Sequence, residues 1–224
     1  MLGVGLAATG CNKPSEPGPT PAAAPAKPKS PAPQVLAPQL KKDLVLHLAM
    51  DKEENPGTDQ SGQNNHAAVR GASWTPGGRF GGALTFDGAR GHLEVKDSPS
   101  LRVQENTIAV WVKPAANLVV GQRGMILSKE MSGAAGGYRV YYAEGQLNYG
   151  LMEGGRSSQG YLNTESATAL EAGKWYFIVG TYDGAVRRLY MDGELKVSMD
   201  GAKTLFPDGW KAPKPYLRIV KQPK

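Results

Sequence analysis

The sequence predicts an all-β fold in which two antiparallel sheets pack face to face behind an extended N-terminal tail. From residue 40 onward, short runs of alternating apolar and polar residues recur, and Gly, Asn or Asp interrupts them roughly every eight to twelve residues. This rhythm is typical of β-sandwiches, whose strands bury every second side chain. No segment shows the apolar period of an amphipathic helix.

The predicted strands follow one another with short connections. Asp183-Gly184 and Asp192-Gly193 each supply the positive φ that a tight hairpin needs, so they join three late strands into a meander. In the strand 174–182 both alternating faces are apolar, which is expected of a central strand covered by a second layer. We predict strands at 44–49, 83–86, 92–95, 107–113, 125–129, 138–143, 146–151, 174–182, 186–191, 195–199 and 216–220.

The tail begins with a short apolar run, residues 1–11, which ends in Ala8-Thr9-Gly10-Cys11. This run resembles a bacterial lipoprotein signal peptide with its lipobox. The resemblance implies cleavage before Cys11 and a diacylglycerol on its sulfur. The protein is then expected in the bacterial cell envelope, lipid-anchored at the outer membrane or cell surface. An incidental N-terminal cysteine is the alternative.

Residues 12–39 hold nine of the 17 prolines, with Ala, Ser and Lys between them. Proline fixes φ and removes backbone donors, so this composition predicts a disordered, extended linker that leads to a domain at 40–224. No stretch of the chain reaches the roughly 18 to 20 apolar residues that a membrane-spanning helix needs. Membrane contact is therefore expected through the lipid anchor alone.

The formal charge of +6 is unevenly distributed along the chain. Residues 201–224 carry six Lys or Arg against Asp208, whereas residues 40–200 carry 17 basic and 18 acidic side chains. A nucleic-acid-binding domain concentrates basic side chains on the folded face that meets the phosphates. The sequence therefore predicts no nucleic-acid partner.

The chain carries a series of motifs: RFGGALTFDG at 79–88, HLEV at 92–95, DSPSL at 97–101, IAVWVKP at 108–114, ILSK at 126–129, KWY at 174–176, TYDG at 181–184 and LYMDG at 189–193. Together these motifs resemble the laminin-G-like group of the concanavalin A-like lectin/glucanase superfamily. The resemblance implies a two-sheet antiparallel jelly-roll sandwich over about residues 43–220, in agreement with the strand pattern. Members of the group usually continue into a further strand beside the N-terminal one. We therefore expect this chain to lack the family's last strand, to expose the edge of 44–49 and to be less stable for it.

The superfamily includes glucanases, so acidic pairs are the first candidates for catalysis. The glucanase motif Glu-x-Asp-x-x-Glu is absent from the sequence, and so is a Gly-x-Ser-x-Gly elbow. The nearest spacings, Glu94 with Asp97 and Asp192 with Glu194, fall at strand ends or in a hairpin, where acids usually fix turns or face solvent. The sequence predicts no catalytic residue and a non-enzymatic protein, with a glycoside hydrolase related to the glucanases as the alternative.

Asp51 and the loop 59–66 form the most credible cation site. Carboxylate, amide and backbone oxygens are the ligands that Ca²⁺ prefers, and a Gly-containing loop can bend several onto one point. The loop also resembles a segment that lies near a structural calcium in many members of the family. We predict Ca²⁺ ligation by Asp51, Asp59, Asn64 and Asn65, with hydrogen-bonded Asx turns as the alternative role of these side chains.

Carbohydrate binding needs a solvent-facing aromatic ring that stacks on a sugar, and polar groups for its hydroxyls. The strands between 137 and 162 supply both types of side chain. Their period of two places Tyr138 and Tyr142 on one face and Arg139 and Tyr141 on the other, so some of these aromatics belong to the core. The predicted ligand-binding residues are Tyr138, Arg139, Tyr142, Asn148, Tyr149, Arg156 and Tyr161.

These features together predict a binding module that is tethered to the bacterial cell envelope. Its expected partner is a glycan or an envelope or extracellular protein. A structural role, as a spacer or oligomerising part of an envelope assembly, is a further alternative. Fold analogy is what favours carbohydrate among these partners.

Overall fold

The computed structural model describes residues 41–116, 123–129, 137–152, 161–166, 169–200 and 216–221. In these ranges the regular structure is β-strand apart from a short 3₁₀ helix, Pro99–Leu101, so the all-β prediction is confirmed. The described ranges contain no helix that is long and apolar enough to cross a membrane. The strands are β1 (Ala67–Arg70), β2 (Ala72–Thr75), β3 (Ala83–Phe86), β4 (His92–Lys96), β5 (Asn106–Val112), β6 (Arg123–Lys129), β7 (Gly137–Ala143), β8 (Gln146–Met152), β9 (Tyr161–Ser166), β10 (Tyr176–Tyr182), β11 (Val186–Met191), β12 (Glu194–Asp200) and β13 (Tyr216–Lys221).

Two antiparallel sheets make up the sandwich. The larger has seven strands in the order β1-β4-β13-β6-β7-β8-β9, and the smaller has four in the order β12-β11-β10-β5. A separate two-stranded ribbon pairs β2 with β3. Ten of the predicted strands are confirmed, each with its ends within about two residues of the prediction.

The core lies between the inner faces of the two sheets. Val140 and Tyr142 of the seven-stranded sheet and Ile178 of the four-stranded sheet are fully buried. At Gly180 a Cβ would lie only 2.7 Å from the ring of Tyr149, so the absence of a side chain there lets the two sheets approach. β10 lies between β5 and β11, which confirms its prediction as a central strand.

Both predicted hairpins are present, and each has the expected backbone. Asp192 and Gly193 have φ angles of 53° and 87° between β11 and β12, and Gly184 has a φ of 88° between β10 and β11. Asp183 Oδ1 accepts hydrogen bonds from two backbone N–H groups of its own turn, at 2.7 and 3.0 Å. These turns fix the register of the four-stranded sheet.

The predicted strand at 44–49 is wrong, because this segment forms only an isolated bridge between Leu48 and Asp59. Loop side chains replace a partner strand along its backbone. The N–H of His47 donates to Asp59 Oδ1 at 2.9 Å, and Asn65 Nδ2 donates to a carbonyl of the segment at 2.7 Å. The apolar side chains of the segment still pack against the core.

Three strands were not predicted from the sequence, namely β1, β2 and β9. β1 and β2 are four residues long and include three alanines, and the left-handed Gly71 separates them. Alanine has low strand propensity, and none of these positions is fully buried, so the alternation was too weak to detect.

Candidate functional site

The outer face of the seven-stranded sheet carries the candidate site. Register places Ser128 beside Arg139, and Met125 beside Tyr141, on β6 and β7. On β8, Asn148 lies beside Tyr141. These side chains point away from the core because the residues that alternate with them face inward. We call the outward set on β4, β6, β7 and β8 the polar face; it comprises His92, Glu94, Ser128, Arg139, Tyr141 and Asn148.

Arg139 and Tyr141 form the centre of the polar face. The guanidinium carbon of Arg139 lies 4.2 Å from the centroid of the Tyr141 ring, and its Nη2 donates to the Tyr141 hydroxyl at 3.4 Å. A cation above an aromatic ring is attracted by the ring's quadrupole. Both side chains are half-buried, so part of each is open to solvent. The pair combines an aromatic surface with several hydrogen-bond donors.

Asn148 lies next to this pair but is only 2% exposed. Its Nδ2 donates to the carbonyl of Gln146 at 3.1 Å. Its Oδ1 is buried and has no hydrogen-bond partner in the part of the chain that the structure describes. A buried polar atom normally has a hydrogen-bond partner. Asn148 Oδ1 is therefore an unsatisfied acceptor next to Tyr141.

Glu94 and His92 lie at the other end of the polar face, on β4. The His92 Nε2 and Glu94 Oε2 atoms are 3.4 Å apart, and both residues are half-buried. Position 218 of β13 pairs with Glu94 on one side and with Ser128 on the other, and Ser128 pairs with Arg139. Strands lie about 4.8 Å apart, so Glu94 and Arg139 are separated by roughly 14 Å across the sheet.

The structure corrects three of the predicted ligand-binding residues. Tyr138 is 5% exposed, and Tyr142 and Tyr149 are fully buried between the sheets. Burial raises the pKa of Tyr138 and of Tyr149, and the hydroxyl of Tyr138 donates to the carbonyl of Leu101 at 3.0 Å. A sugar cannot stack on these rings, because the period of two turns them inward.

The remaining predicted ligand-binding residues have different fates. Arg139 and Asn148 lie on the polar face together, as described above. Tyr161 begins β9 and pairs with Met152, whereas Arg156 lies outside the described residues. Tyr141 was not among the predicted residues, although its alternation with Tyr142 is the signal that places it beside Arg139.

The predicted calcium loop is held by hydrogen bonds to Asp59. Its Oδ1 accepts from the N–H groups of His47 and Ser61, both at 2.9 Å. Its Oδ2 accepts from the hydroxyl of Ser61 and the N–H of Asn65, both at 2.8 Å. Burial raises the pKa of Asp59, but these hydrogen bonds lower it more. A carboxylate has about four acceptor sites, so protein donors occupy all of those of Asp59.

The other predicted calcium ligands do not converge with Asp59. Asn65 is 4% exposed, and its Oδ1 accepts from the hydroxyl of Ser98 at 2.7 Å. Asn64 is exposed with a left-handed φ of 58°, and Asp51 lies against Gly81. In the described ranges no three His, Cys, Asp or Glu residues form a group that could hold a metal ion. The donor set fits hydrogen-bonded turns and does not fit Ca²⁺.

The acidic pair Glu94 and Asp97 is divided between two environments. Glu94 belongs to the polar face, whereas the side chain of Asp97 is 6% exposed and forms ion pairs with Arg102 and Lys129. Burial raises the pKa of Asp97, but the hydrogen bonds from Arg102 and Lys129 lower it more. Lys129 is itself 2% exposed, so Asp97 supplies the counter-charge of a buried cation. Asp97 is therefore tied to the fold.

The second acidic pair, Asp192 and Glu194, stabilises the hairpin between β11 and β12. Asp192 Oδ1 accepts from the N–H of Phe177 at 2.8 Å, and Glu194 Oε2 pairs with Lys196 at 2.7 Å. Both contacts hold the hairpin together. Asp97, Asp192 and Glu194 thus make structural contacts, whereas Glu94 belongs to the polar face.

The predicted lipidation site lies outside the described ranges. Cys11 and the linker at 12–39 precede residue 41, with which the described part of the chain begins. The expected lipid anchor and envelope location stay predictions from the sequence.

Comparison with known proteins gives a family match over more than half of the chain. A laminin-G family model described as "Concanavalin A-like lectin/glucanases superfamily" matches residues 87–214. No curated protein matches the sequence. The family match agrees with the order of the motifs and with the two-sheet architecture.

Two solved structures illustrate the similarity of fold. The first is domain 4 of AbnA, a GH43 extracellular arabinanase from Geobacillus stearothermophilus, in complex with arabinotriose. It is 16% identical with a TM-score of 0.54, and the match covers 79% of this chain and 89% of that one. The second is the binding domain of botulinum neurotoxin DC in complex with SialylT. It is 17% identical with a TM-score of 0.55, and the match covers 82% of this chain and 45% of that one.

The similarity to these structures concerns the fold, since both identities are low. The family model, the thirteen strands and their antiparallel order point to the same architecture. The chain belongs to the concanavalin A-like lectin/glucanase superfamily.

Proposed function

We propose that this protein is a non-enzymatic module that binds carbohydrate on its polar face. The observation that carries the proposal is the Arg139–Tyr141 pair, with the guanidinium 4.2 Å from the ring, on an outward face that also holds Glu94 and His92. Protein sites for sugars combine an aromatic surface for the apolar side of the ring with directed donors and acceptors for the hydroxyls. The polar face has both.

The spacing of the polar face fits an oligosaccharide better than a single sugar. Glu94 and Arg139 lie on one row across the sheet, about 14 Å apart. Arg139 offers hydrogen-bond donors to a glycan, and Glu94 offers acceptors. The Tyr141 ring, next to Arg139, offers an apolar surface. An extended glycan that crosses the strands would reach both ends of this row.

The similar structures support a binding role. One is in complex with arabinotriose and the other with SialylT, and both are named as a domain of a larger protein or a binding domain. These ligands guide the choice of the first glycans to test. Arabino-oligosaccharides and sialylated glycans are therefore the starting set, within a broader glycan array.

The decisive experiment measures glycan affinity for the wild type and the variant Tyr141→Ala. We expect saturable binding for the wild type and an affinity lower by about tenfold for Tyr141→Ala, because a stacked aromatic contributes roughly 1 kcal/mol beyond its buried area. Tyr190→Ala is the matched control, because Tyr190 is a half-buried tyrosine on β11 of the other sheet. The control is expected to retain wild-type affinity.

Two results would contradict the proposal. One is a glycan array with no ligand above background. The other is an equal loss of affinity in Tyr141→Ala and Tyr190→Ala, which would indicate a general effect on folding. Thermal denaturation of each variant separates such an effect from the loss of a contact.

The alternative is a hydrolytic activity, which would require two carboxyl groups close together at the glycan site. The test is the release of reducing sugar from the polysaccharides that the protein binds. We expect no release above that of Tyr141→Ala. Release of reducing sugar by the wild type but not by Tyr141→Ala would show that the protein is a glycoside hydrolase and would contradict the proposal of a non-enzymatic module.

We also propose that the module is tethered to the bacterial envelope through a lipid on Cys11. The sequence Ala8-Thr9-Gly10-Cys11 and the proline-rich segment after it support this proposal. Metabolic labelling with a fatty acid in a bacterial host is expected to mark the wild type and to spare Cys11→Ser. Equal labelling of both would contradict it.

A further inference from the structure

Arg187 of β11 is a buried cation with two unsatisfied guanidinium nitrogens in the described part of the chain. It is 3% exposed, and its side chain points into the core because Leu189 and Met191, which share its face, are buried as well. Its Nε and Nη1 atoms have no hydrogen-bond partner in the part of the chain that the structure describes. An unpaired guanidinium in a protein interior is costly, and buried cations normally have a counter-ion.

A second unsatisfied hydrogen-bond donor, Asn106 Nδ2, lies on the same row of the four-stranded sheet as Arg187. Asn106 of β5 and Arg187 of β11 both pair with Tyr182 of β10, one on each side. The hydroxyl of Tyr149, from the opposite sheet, donates to Asn106 Oδ1 at 2.7 Å. This bond directs the Asn106 Nδ2 group away from Tyr149, and Nδ2 is buried without a partner in the described chain.

The unsatisfied groups around Tyr182 are all hydrogen-bond donors. Asn106 contributes the amide Nδ2, and Arg187 contributes Nε and Nη1. An amide and a guanidinium have two and five N–H donors respectively, and neither nitrogen group can accept. What completes this cluster must therefore carry acceptors, and the guanidinium favours a negative charge.

In the described part of the chain, no carboxylate forms an ion pair with Arg187. Besides its own burial, which lowers the pKa of Arg187, the electrostatic influences on it come from Tyr149, Asp200 and Tyr182, which raise the pKa. The tyrosines are neutral hydroxyls, and burial keeps the pKa of Tyr149 raised. Asp200 lies exposed at the end of β12 and forms no ion pair with Arg187.

We propose that Arg187 and Asn106 bind a small monovalent anion, of the size of chloride, nitrate or formate, between the two sheets. The single guanidinium charge selects a monovalent ion, and side chains fill the roughly 10 Å between packed sheets, so a larger ion is excluded. The anion supplies the acceptor that the donors lack. This site is separate from the polar face, which lies on the outside of the other sheet.

The test measures the thermal midpoint of the glycan-free protein at increasing concentrations of chloride, nitrate or formate. A salt of a bulky sulfonate replaces the small anion at each step, so that the ionic strength stays constant. A ligand that binds only the folded state stabilises it by mass action. We expect a saturable rise of the midpoint by about 5 to 10 °C at a hundredfold excess over Kd. The bulky sulfonate alone is expected to give no rise.

Two variants identify the site. Arg187→Met removes the charge and keeps an unbranched apolar side chain, so the anion-dependent rise is expected to disappear. Arg188→Met is the matched control, because Arg188 pairs with Asp183 at 2.6 Å on the outside of the same strand. The control is expected to keep the full rise.

Two outcomes would overturn the proposal: a wild-type midpoint that does not respond to small anions, or an equal rise in Arg187→Met. The first would also result if water or a carboxylate of the chain satisfied the cluster. If Arg187→Met does not fold, Asn106→Ala takes its place. The line width of the chloride NMR signal is then compared between the wild-type protein and Asn106→Ala. Line broadening that Asn106→Ala leaves unchanged would count against the site.

Discussion

The two outer faces of the sandwich use the same side-chain types for different purposes. On the four-stranded sheet, Trp111 stacks on Phe177 with centroids 4.9 Å apart, and Phe80 meets Trp111 edge-on at 5.5 Å. On the seven-stranded sheet, Tyr141 carries Arg139 and lies among polar side chains. We call the first the aromatic face. Its aromatic rings contact one another, whereas the ring of the polar face is flanked by hydrogen-bonding groups.

The arginines on the two faces show the same contrast. Arg79 lies 4.9 Å from the Trp111 ring and 5.1 Å from Phe80, so it covers an aromatic cluster that already packs against itself. Arg139 lies 4.2 Å from the Tyr141 ring and also donates to the hydroxyl of that ring. A cation over an aromatic ring is therefore not by itself a sign of a binding site. The neighbours of the pair decide whether it serves packing or recognition.

The largest expected effect concerns the buried ion pair between Asp97 and Lys129. Asp97→Asn removes the counter-charge of Lys129, and leaving a buried charge unpaired costs about 3 to 5 kcal/mol of unfolding free energy. Chemical denaturation measures this loss. Asp183→Asn is the control, since its ion pair with Arg188 is at the surface and its loss is expected to change stability much less. Equal losses in both variants would contradict the distinction.

The comparison of faces predicts a separation of stability from affinity. Trp111→Ala is expected to lower the unfolding free energy by about 2 to 3 kcal/mol, because the half-buried ring loses its contacts with Phe80 and Phe177. Its glycan affinity is expected to stay at the wild-type value. Tyr141→Ala is expected to lower the glycan affinity and to leave the unfolding free energy close to the wild-type value. If Trp111→Ala abolishes binding while it remains folded, the glycan site lies on the aromatic face.

Acid is expected to weaken the protein through Asp97. Hydrogen bonds from Arg102 and Lys129 lower the folded-state pKa of Asp97 below the ordinary value of 3.8. A carboxyl with a lowered folded-state pKa stabilises the fold at pH values above about 4, and this contribution is lost as the pH falls through the folded-state pKa. Unfolding measured between about pH 5 and pH 2 is expected to be less pH-dependent in Asp97→Asn. An unchanged slope would show that other acids dominate.

Calcium is expected to have the smallest effect. The four hydrogen bonds to Asp59 leave no free acceptor for a cation, so millimolar Ca²⁺ is expected to move the thermal midpoint by less than about 1 °C. EDTA-treated protein is the reference. A saturable rise would restore the prediction of calcium binding and would require the loop to rearrange. Asp59→Asn then tests whether that carboxylate is a ligand.

The strand pattern was predictable where each strand alternates strongly. Ala83–Phe86 has the predicted ends, because apolar side chains at every second position fit a half-buried strand. Val186–Met191 has the predicted ends because a glycine turn bounds it on each side. The segment 44–49 has the same alternation and is not a strand, because Asp59 and Asn65 bond to its backbone from a distant loop. Alternation reports which side chains are buried, but it does not report which partner satisfies the backbone.

The candidate site was predictable only in part. The period of two separated Tyr138 and Tyr142 from Arg139 and Tyr141, but it did not indicate which set faces the core. Both sets contain a tyrosine, so hydrophobicity alone does not choose between them. The second sheet, which covers Tyr142 and Tyr149, makes that choice.

The sequence by itself determined the fold class, the hairpin turns and the family, because alternation and turn residues act over short distances along the chain. Tertiary structure alone decided which face became core and which carboxylates accept hydrogen bonds from nearby donors. It also decided that Arg187 is buried on the same row of the sheet as Asn106. These outcomes depend on groups that are far apart in sequence and meet only when the two sheets pack. The burial of a side chain, and with it its chemistry, is a property of that packing.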